Sequence, residues 1–122
     1  MKTVLVVDDS RIMRNILKNT FELLQQPVQY LEAGDGEQAL RVLLHNKVDL
    51  ILLDWNMPNL SGIDFLKQIR STEGYKNVPV IMVTSEAAKL SVIEAIKAGA
   101  TAYITKPINE KAFLEKISSI IF

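Results

Sequence analysis

Five short runs of apolar residues recur along this chain, and four of them end at side chains that can bind a metal ion or a phosphate group. Continuous β-branched and leucine runs of this length are typical of strands buried on both faces of a parallel sheet. The fifth run, residues 28–31, ends at Glu32, to which we assign no chemistry. The four reactive ends are Asp8-Asp9, Asp54, Thr84-Ser85 and Lys106.

Stretches with the spacing of amphipathic helices separate the apolar runs. Ile12 and Ile16 belong to the apolar set of the first helix, and Leu44 to that of the second. We expect Asp9 or Ser10 to cap the first helix, Gly99 to end the fourth and Asn109 to cap the last. The predicted strands cover residues 3–7, 28–32, 49–53, 78–83 and 102–105. The predicted helices cover residues 10–24, 37–44, 63–69, 87–98 and 110–122.

Strand and helix alternate five times, which predicts an α/β fold with right-handed crossovers and helices on both faces of the sheet. The specific prediction is a doubly wound (βα)5 three-layer sandwich of the flavodoxin-like type, with a parallel five-stranded sheet of order 2-1-3-4-5. In that order, the crevice at the switch point lies between the first and third strands, which carry Asp8-Asp9 and Asp54. The topology rule and the reactive residues therefore indicate the same place.

Composition restricts the possible functions. The 122 residues suffice for one domain, predicted over residues 1–122 and expected to be a complete protein. Lysine plus arginine and aspartate plus glutamate both number 14, which argues against binding nucleic acid through bulk charge. There is no cysteine for a disulfide or a thiolate metal site. No apolar run approaches the roughly 18 residues of a membrane-spanning helix, and no signal peptide is evident, so we expect a cytoplasmic protein.

The three carboxylates indicate a divalent cation. Asp8, Asp9 and Asp54 in one crevice would repel one another and raise their pKa values, and a hard cation such as Mg²⁺, which prefers oxygen ligands, removes that repulsion. Asp54 stands alone at the end of the central strand and is our candidate nucleophile for aspartyl-phosphate chemistry. Lys106 and the metal would stabilise the oxygens of the transferring group, and Thr84 would supply a neutral donor.

Each of these residues also has an ordinary structural interpretation. Asp8-Asp9 and Thr84-Ser85 could simply cap helices, and Lys106-Pro107 could be a surface turn. Their functional interpretation rests on all of them falling at one edge of the inferred sheet. His45 has no evident partner, and we expect it to be exposed.

Four strings in this sequence carry a resemblance to a known family. They are Val7-Asp-Asp9, the run Asp54-Trp-Asn-Met-Pro58 with Asn59-Leu-Ser-Gly62, Met82-Val-Thr-Ser-Glu86, and Tyr103-Ile-Thr-Lys-Pro107. Over its whole length the chain resembles the receiver domains of two-component response regulators, most closely the single-domain chemotaxis regulators. Ile108 departs from the phenylalanine that such regulators often have after the Lys-Pro pair, and the first helix differs in detail.

The resemblance implies a chemistry for the site. Asp54 accepts a phosphoryl group from a phosphohistidine on a CheA-like histidine kinase. Mg²⁺ is bound by Asp9, Asp54 and the backbone carbonyl of Asn56, while Asp8 acts through a metal-bound water. Lys106 pairs with the phosphoryl oxygens. The protein then catalyses only its own phosphorylation and dephosphorylation and is otherwise not an enzyme.

The resemblance also implies a switch and an output face. Thr84 hydrogen-bonds the phosphoryl group, Tyr103 moves inward, and the surface of the fourth helix, fifth strand and fifth helix changes shape. Asn56 and Glu86 tune the access of water to the acyl phosphate, and polar residues there suit a short-lived signal. The Lys106-Pro107 peptide is expected to be cis. The positions expected to bind a FliM-like flagellar motor switch protein are Ala87, Lys89, Val92, Ile96, Tyr103 and Lys116.

Other functions stay open at this point. Within the family, the chain could be a phosphorelay intermediate or a regulator of a process other than chemotaxis, and a phosphatase is a further candidate partner. We expect a monomer. A distant alternative is an aspartate-dependent phosphatase of the haloacid dehalogenase type, which is disfavoured because Asp8 and Asp9 are adjacent rather than spaced. Nucleotide binding lacks a glycine-rich loop, and flavin mononucleotide would be repelled by three carboxylates.

Overall fold

The five apolar runs form one sheet in which every neighbouring pair of strands is parallel. The structure is a computed structural model that describes all 122 residues. The strand order is β2-β1-β3-β4-β5, which confirms the predicted topology. The strands are β1 (Lys2–Val7), β2 (Val28–Ala33), β3 (Leu50–Leu53), β4 (Val80–Thr84) and β5 (Ala102–Thr105).

Four helices connect the strands and a fifth follows β5; four of the five helices begin at a residue whose side chain caps the first turn. Each capping oxygen accepts a hydrogen bond from the backbone N–H three residues further on, an interaction that contributes about 1 kcal/mol to helix stability. The capping residues are Ser10, Asp35, Ser61 and Asn109. The helices are α1 (Arg11–Glu22), α2 (Gly36–His45), α3 (Gly62–Arg70), α4 (Lys89–Ala98) and α5 (Glu110–Ile121).

Alternate side chains along the strands face two separate hydrophobic cores. Val4 and Val6 pack on one side of the sheet with α1 and α5, whereas Leu5 and Val7 pack on the other side with α2, α3 and α4. Phe65 is fully buried in the second core, and its truncation to alanine would cost about 3–5 kcal/mol. The sheet is therefore covered on both faces, and only its edges and strand ends are available for chemistry.

Several predicted element boundaries were wrong, and the reasons are local. α4 begins at Lys89 rather than at residue 87, and Ala88 before it offers no side-chain cap. β4 begins at Val80, because the preceding Pro79 has no N–H to donate to a neighbouring strand. α1 ends at Glu22 rather than Leu24, since the chain tightens into a turn there and Gln25 has a φ of 55°.

The apolar pattern of two helices is wider than the strip that each one buries. Ile12 and Ile16 of α1 are 75% and 45% exposed, and Leu44 of α2 is 77% exposed. His45 is exposed, as expected. None of the helices combines the length and the apolar character needed to cross a membrane.

Candidate functional site

The register of the sheet brings the predicted carboxylates together. Val7 at the end of β1 pairs with Leu53 at the end of β3, so Asp8 and Asp54 leave the sheet side by side. The backbone N–H of Asp54 donates to the carbonyl of Val7 at 2.9 Å, which extends this pairing by one residue. Asp9 follows Asp8, and one carboxylate oxygen from each of the three aspartates lies within 4.8 Å of the others.

Asp8 is held on several sides, whereas Asp9 is exposed. The backbone N–H of Asp8 donates to Ala33 at the end of β2. Its Oδ1 accepts the backbone N–H of Ser10 at 2.9 Å, and its Oδ2 lies 2.9 Å from Lys106 Nζ. Both carboxylate oxygens of Asp8 therefore already have partners, which suits a role through water better than direct metal ligation.

Asp54 is only 7% exposed, and its ionised form is disfavoured. Burial raises the pKa of Asp54 first, and the nearby charge of Asp8 raises it further. Lys106, the Thr84 hydroxyl and the backbone N–H of Trp55 partly offset that rise, and the last donates to Asp54 Oδ1 at 2.8 Å. A carboxylate in this environment gains from any cation that enters the crevice.

Lys106 is the single ammonium group among these carboxylates. Its Nζ lies 2.9 Å from Asp8 Oδ2 and 3.7 Å from Asp54 Oδ2. The backbone N–H of Lys106 donates to the carbonyl of Thr84 at 2.9 Å, so the ends of β4 and β5 stay paired beside the site. The Lys106-Pro107 peptide is cis, as the resemblance implied.

The loop after β3 is anchored so that its backbone stays close to Asp54. Gly62 donates its N–H to the carbonyl of Trp55 at 2.8 Å, and a Cβ on Gly62 would lie only 1.9 Å from the carbonyl oxygen of Asp54. Asn59, with a φ of 69°, donates its side-chain N–H to the buried Asp35 at 2.8 Å. Asn56, the predicted carbonyl ligand, lies within this anchored loop.

Thr84, Glu86 and Tyr103 form a chain of contacts that leads from the site toward the surface. Thr84 is fully buried, and its Oγ1 accepts the backbone N–H of Glu86 at 3.3 Å. The hydroxyl of the half-buried Tyr103 donates to the carbonyl of Glu86 at 2.6 Å. Burial raises the pKa of Tyr103, and the charges of Glu86 and Asp54 add to that rise. The inward movement of Tyr103 stays a prediction.

The predicted output face lies on α4, β5 and α5 and immediately before α4. Four of its six members are exposed, whereas Val92 and Tyr103 are half-buried. The exposed members are Ala87, Lys89, Ile96 and Lys116.

One group of charged residues was not anticipated from the sequence. Glu32 accepts hydrogen bonds from Arg14 Nε and Lys18 Nζ, both at 2.9 Å, and the pKa of its carboxyl is lowered first by Lys18 and then by Arg14. Arg14 also donates to the carbonyl oxygen of Asp8. The only signal in the sequence is the helical i, i+4 spacing of the two basic residues.

The donor set fits a hard divalent cation. Three carboxylates face one ammonium group, so the crevice keeps an excess of negative charge, and all available ligand atoms are oxygens. Mg²⁺ takes such ligands together with waters. The residues that would hold it are Asp9, Asp54 and the Asn56 carbonyl, with Asp8 behind a water.

Comparisons with known proteins point to a single family. A family model described as the response regulator receiver domain matches residues 4–118. The chain is 41% identical over 119 residues to a chemotaxis protein CheY homolog of Campylobacter jejuni, covering 97% of this chain and 91% of that relative. It is similar to the structure of the chemotaxis protein CheY4 of Vibrio cholerae, with a TM-score of 0.87, 32% identity and 98% of both chains covered.

A third relative bears on the metal. The receiver domain of a sensor histidine kinase from Pseudomonas aeruginosa matches with a TM-score of 0.86 and 25% identity, covering 98% of this chain and 97% of that one. Its structure has a magnesium ion coordinated in the active site cleft. A magnesium ion therefore occurs in the active site cleft of a protein with a similar fold.

Proposed function

The chain belongs to the response regulator receiver domain family of two-component systems, and we propose that it is a switch activated by phosphorylation of Asp54. One observation carries the proposal. Asp54 is buried at the carboxyl edge of the sheet with Asp8, Asp9 and Lys106 around it. Such a carboxylate is positioned to act as a nucleophile in a site that can neutralise phosphoryl charge.

The proposed transfer uses the side chains as follows. A carboxylate oxygen of Asp54 forms a bond to phosphorus while the phosphorus–nitrogen bond of a histidine kinase phosphohistidine breaks. The leaving imidazole nitrogen keeps the electron pair and takes up a proton. Lys106 stabilises the phosphoryl oxygens, and Mg²⁺ supplies further charge neutralisation when bound. The protein acts on no other substrate in this proposal.

The proposed signal passes through Thr84 and Tyr103. A phosphoryl group brings about two negative charges and three acceptor oxygens, to which the buried Thr84 hydroxyl can donate. Thr84 contacts Glu86, and Glu86 contacts Tyr103, so a shift of Thr84 changes the anchoring of Tyr103 on the output face. Coupling of this kind typically biases a two-state equilibrium by about 1–3 kcal/mol.

The proposed target is a flagellar motor switch protein, bound by the face that contains Ala87, Lys89, Val92, Ile96 and Lys116. Two findings support this target. The relative from Campylobacter jejuni is named as a chemotaxis protein, and the apolar Ile96 is 49% exposed beside the exposed charges of that face. We propose that the chain works as a cytoplasmic monomer together with its kinase.

A phosphorelay intermediate is the second candidate. Ile12 and Ile16, one helical turn apart on α1, are exposed, and α1 begins beside the Asp8-Asp9 segment. An exposed apolar pair there offers a surface for a helical domain that carries a histidine.

The test is binding of an N-terminal peptide of the motor switch protein with and without beryllofluoride and Mg²⁺, which together mimic the phosphoryl group. Asp54→Asn serves as the control that cannot bind the mimic. We expect tighter binding of the peptide only when the native protein is loaded with the mimic. Equal or absent binding in both states, alongside a normal response of Trp55 fluorescence to the mimic, would reject the motor target and favour the phosphorelay.

A further inference from the structure

Arg14 joins the ends of two strands next to the acidic cluster. Its Nη1 donates to the backbone carbonyl of Asp8, and its Nε donates to Glu32 Oε1 at 2.9 Å. The Arg14 side chain is only 17% exposed, so most of its surface is packed. Lys18 Nζ lies 2.9 Å from the other oxygen of Glu32, which leaves Glu32 held from two sides.

The Asp8 carbonyl lies in the stretch of backbone that carries two of the three clustered carboxylates, Asp8 and Asp9. β1 ends at Val7, and the Asp8 carbonyl belongs to the peptide that links Asp8 to Asp9. The orientation of that peptide sets the direction in which both carboxylates leave the chain. We propose that Arg14 is a positioning residue, which anchors this peptide to Glu32 at the end of β2 and so presents Asp8 and Asp9 to the metal ion.

This inference rests on the proposed metal-dependent function. The direction in which Mg²⁺ affinity changes when Arg14 is replaced distinguishes an anchoring role from a simple charge effect. A guanidinium near the cluster repels a divalent cation, so loss of the charge alone would tighten metal binding. Loss of an anchor would weaken metal binding, because outer partners that orient metal ligands typically contribute 10-fold or more to affinity. Lysine at this position keeps the charge but cannot span two acceptors as a planar guanidinium does.

The experiment compares Mg²⁺ titrations of the native protein, Arg14→Gln and Arg14→Lys, followed by Trp55 fluorescence. We expect both variants to bind Mg²⁺ roughly 10-fold more weakly. Lys18→Gln is the matched control, because it removes a cation from Glu32 but leaves the contact with Asp8; its affinity should be unchanged or slightly higher. Tighter or unchanged binding by Arg14→Gln, or full affinity in Arg14→Lys, would overturn the proposal.

A second measurement needs no metal. The backbone N–H of Ser10 donates to Asp8 Oδ1. If Arg14→Lys loosens the Asp8-Asp9 peptide, the Ser10 amide hydrogen should exchange with solvent faster in this variant than in the native protein. If the native protein does not bind Mg²⁺, the proposed function fails, but faster exchange of the Ser10 amide in Arg14→Lys would still support a positioning role for Arg14. Unchanged exchange of that amide would refute the positioning role.

Glu32→Gln guards against variants of Arg14 that fail to fold. It weakens one end of the anchor and keeps the hydrogen bond from Arg14 to Asp8. We expect a smaller loss of Mg²⁺ affinity in the same direction. An affinity equal to that of the native protein would count against the anchor.

Discussion

Lys106 Nζ lies 2.9 Å from Asp8 Oδ2, closer than its 3.7 Å separation from Asp54 Oδ2. In this structure the ammonium group is therefore bound chiefly to the residue that is not the candidate nucleophile. The ion pair joins the end of β5 to the end of β1 across the crevice that holds Asp54. A phosphoryl group on Asp54 would offer Lys106 stronger acceptors on the other side of the crevice. The partner of the Lys106 ammonium group would therefore change when Asp54 is phosphorylated.

The first prediction concerns Lys106→Ala. We expect the variant to accept a phosphoryl group still, because Asp54 and the metal ligands are intact, but to show little phosphorylation-dependent change in target binding. Intact mass after treatment with acetyl phosphate and Mg²⁺ measures the first property, and peptide binding measures the second. Lys47→Ala, which alters an exposed lysine away from the site, is the control. Normal output from Lys106→Ala would refute its coupling role.

The second prediction concerns the stability of Asp54→Asn. The pKa of Asp54 is raised by burial and by Asp8, so the folded state favours the protonated form of Asp54. The favourable contribution of protonated Asp54 to the free energy of unfolding is fully present below the ordinary carboxyl pKa of about 4. It is lost as the pH rises through the raised pKa of Asp54 in the folded state. At neutral pH without metal, Asp54→Asn should therefore unfold at higher urea than the native protein. The difference should shrink near pH 4, and a less stable variant at neutral pH would contradict it.

The third prediction concerns metal binding. Trp55 follows Asp54 directly in the chain; its backbone N–H donates to Asp54 Oδ1, and its side chain is half-buried. We expect Mg²⁺ to quench Trp55 fluorescence. We expect Asp9→Asn to weaken Mg²⁺ binding, because it removes an exposed carboxylate that we propose as a ligand. A flat titration at millimolar Mg²⁺ would argue against Asp9 and Asp54 as ligands.

The fourth prediction concerns Gly62→Ala. The added Cβ would lie 1.9 Å from the carbonyl oxygen of Asp54, so the loop must move away from Asp54. We expect a loss of roughly 1–3 kcal/mol in the free energy of unfolding, together with weaker Mg²⁺ binding. Gly34→Ala is the control, since its Cβ would make only ordinary contacts. Equal stability and Mg²⁺ affinity in the two variants would contradict the prediction.

The parts of the site that lie on strand ends were predictable from the sequence. Parallel strands end at one edge, so Asp8, Asp54, Thr84 and Lys106 had to meet once the strand order was inferred. The register that sets Val7 beside Leu53 then fixes which carboxylates are neighbours. The hydrophobic pattern and the residue that follows each run are enough to predict these positions.

The anchors around the site were not predictable in the same way. Arg14 bonds to Glu32, 18 residues later in the chain, and Asn59 bonds to Asp35, 24 residues earlier. No local sequence pattern indicates which distant residue such a side chain will contact. The exposure of Ile12 and Ile16 was missed for a related reason, since helical spacing does not reveal how wide a strip the sheet covers. The start of α4 was predicted wrongly because Ala88, the residue before it, has no capping side chain that would mark the boundary in the sequence.

The most direct test of the account is the site of phosphorylation. The native protein, Asp54→Asn and Asp64→Asn would be incubated with acetyl phosphate and Mg²⁺, and the added mass would be measured on the intact proteins. Asp64 is an exposed carboxylate in the first turn of α3 and serves as the matched control. We predict one added phosphoryl group on the native protein and on Asp64→Asn, and none on Asp54→Asn. A phosphoryl group retained by Asp54→Asn would contradict the assignment of Asp54 as the acceptor.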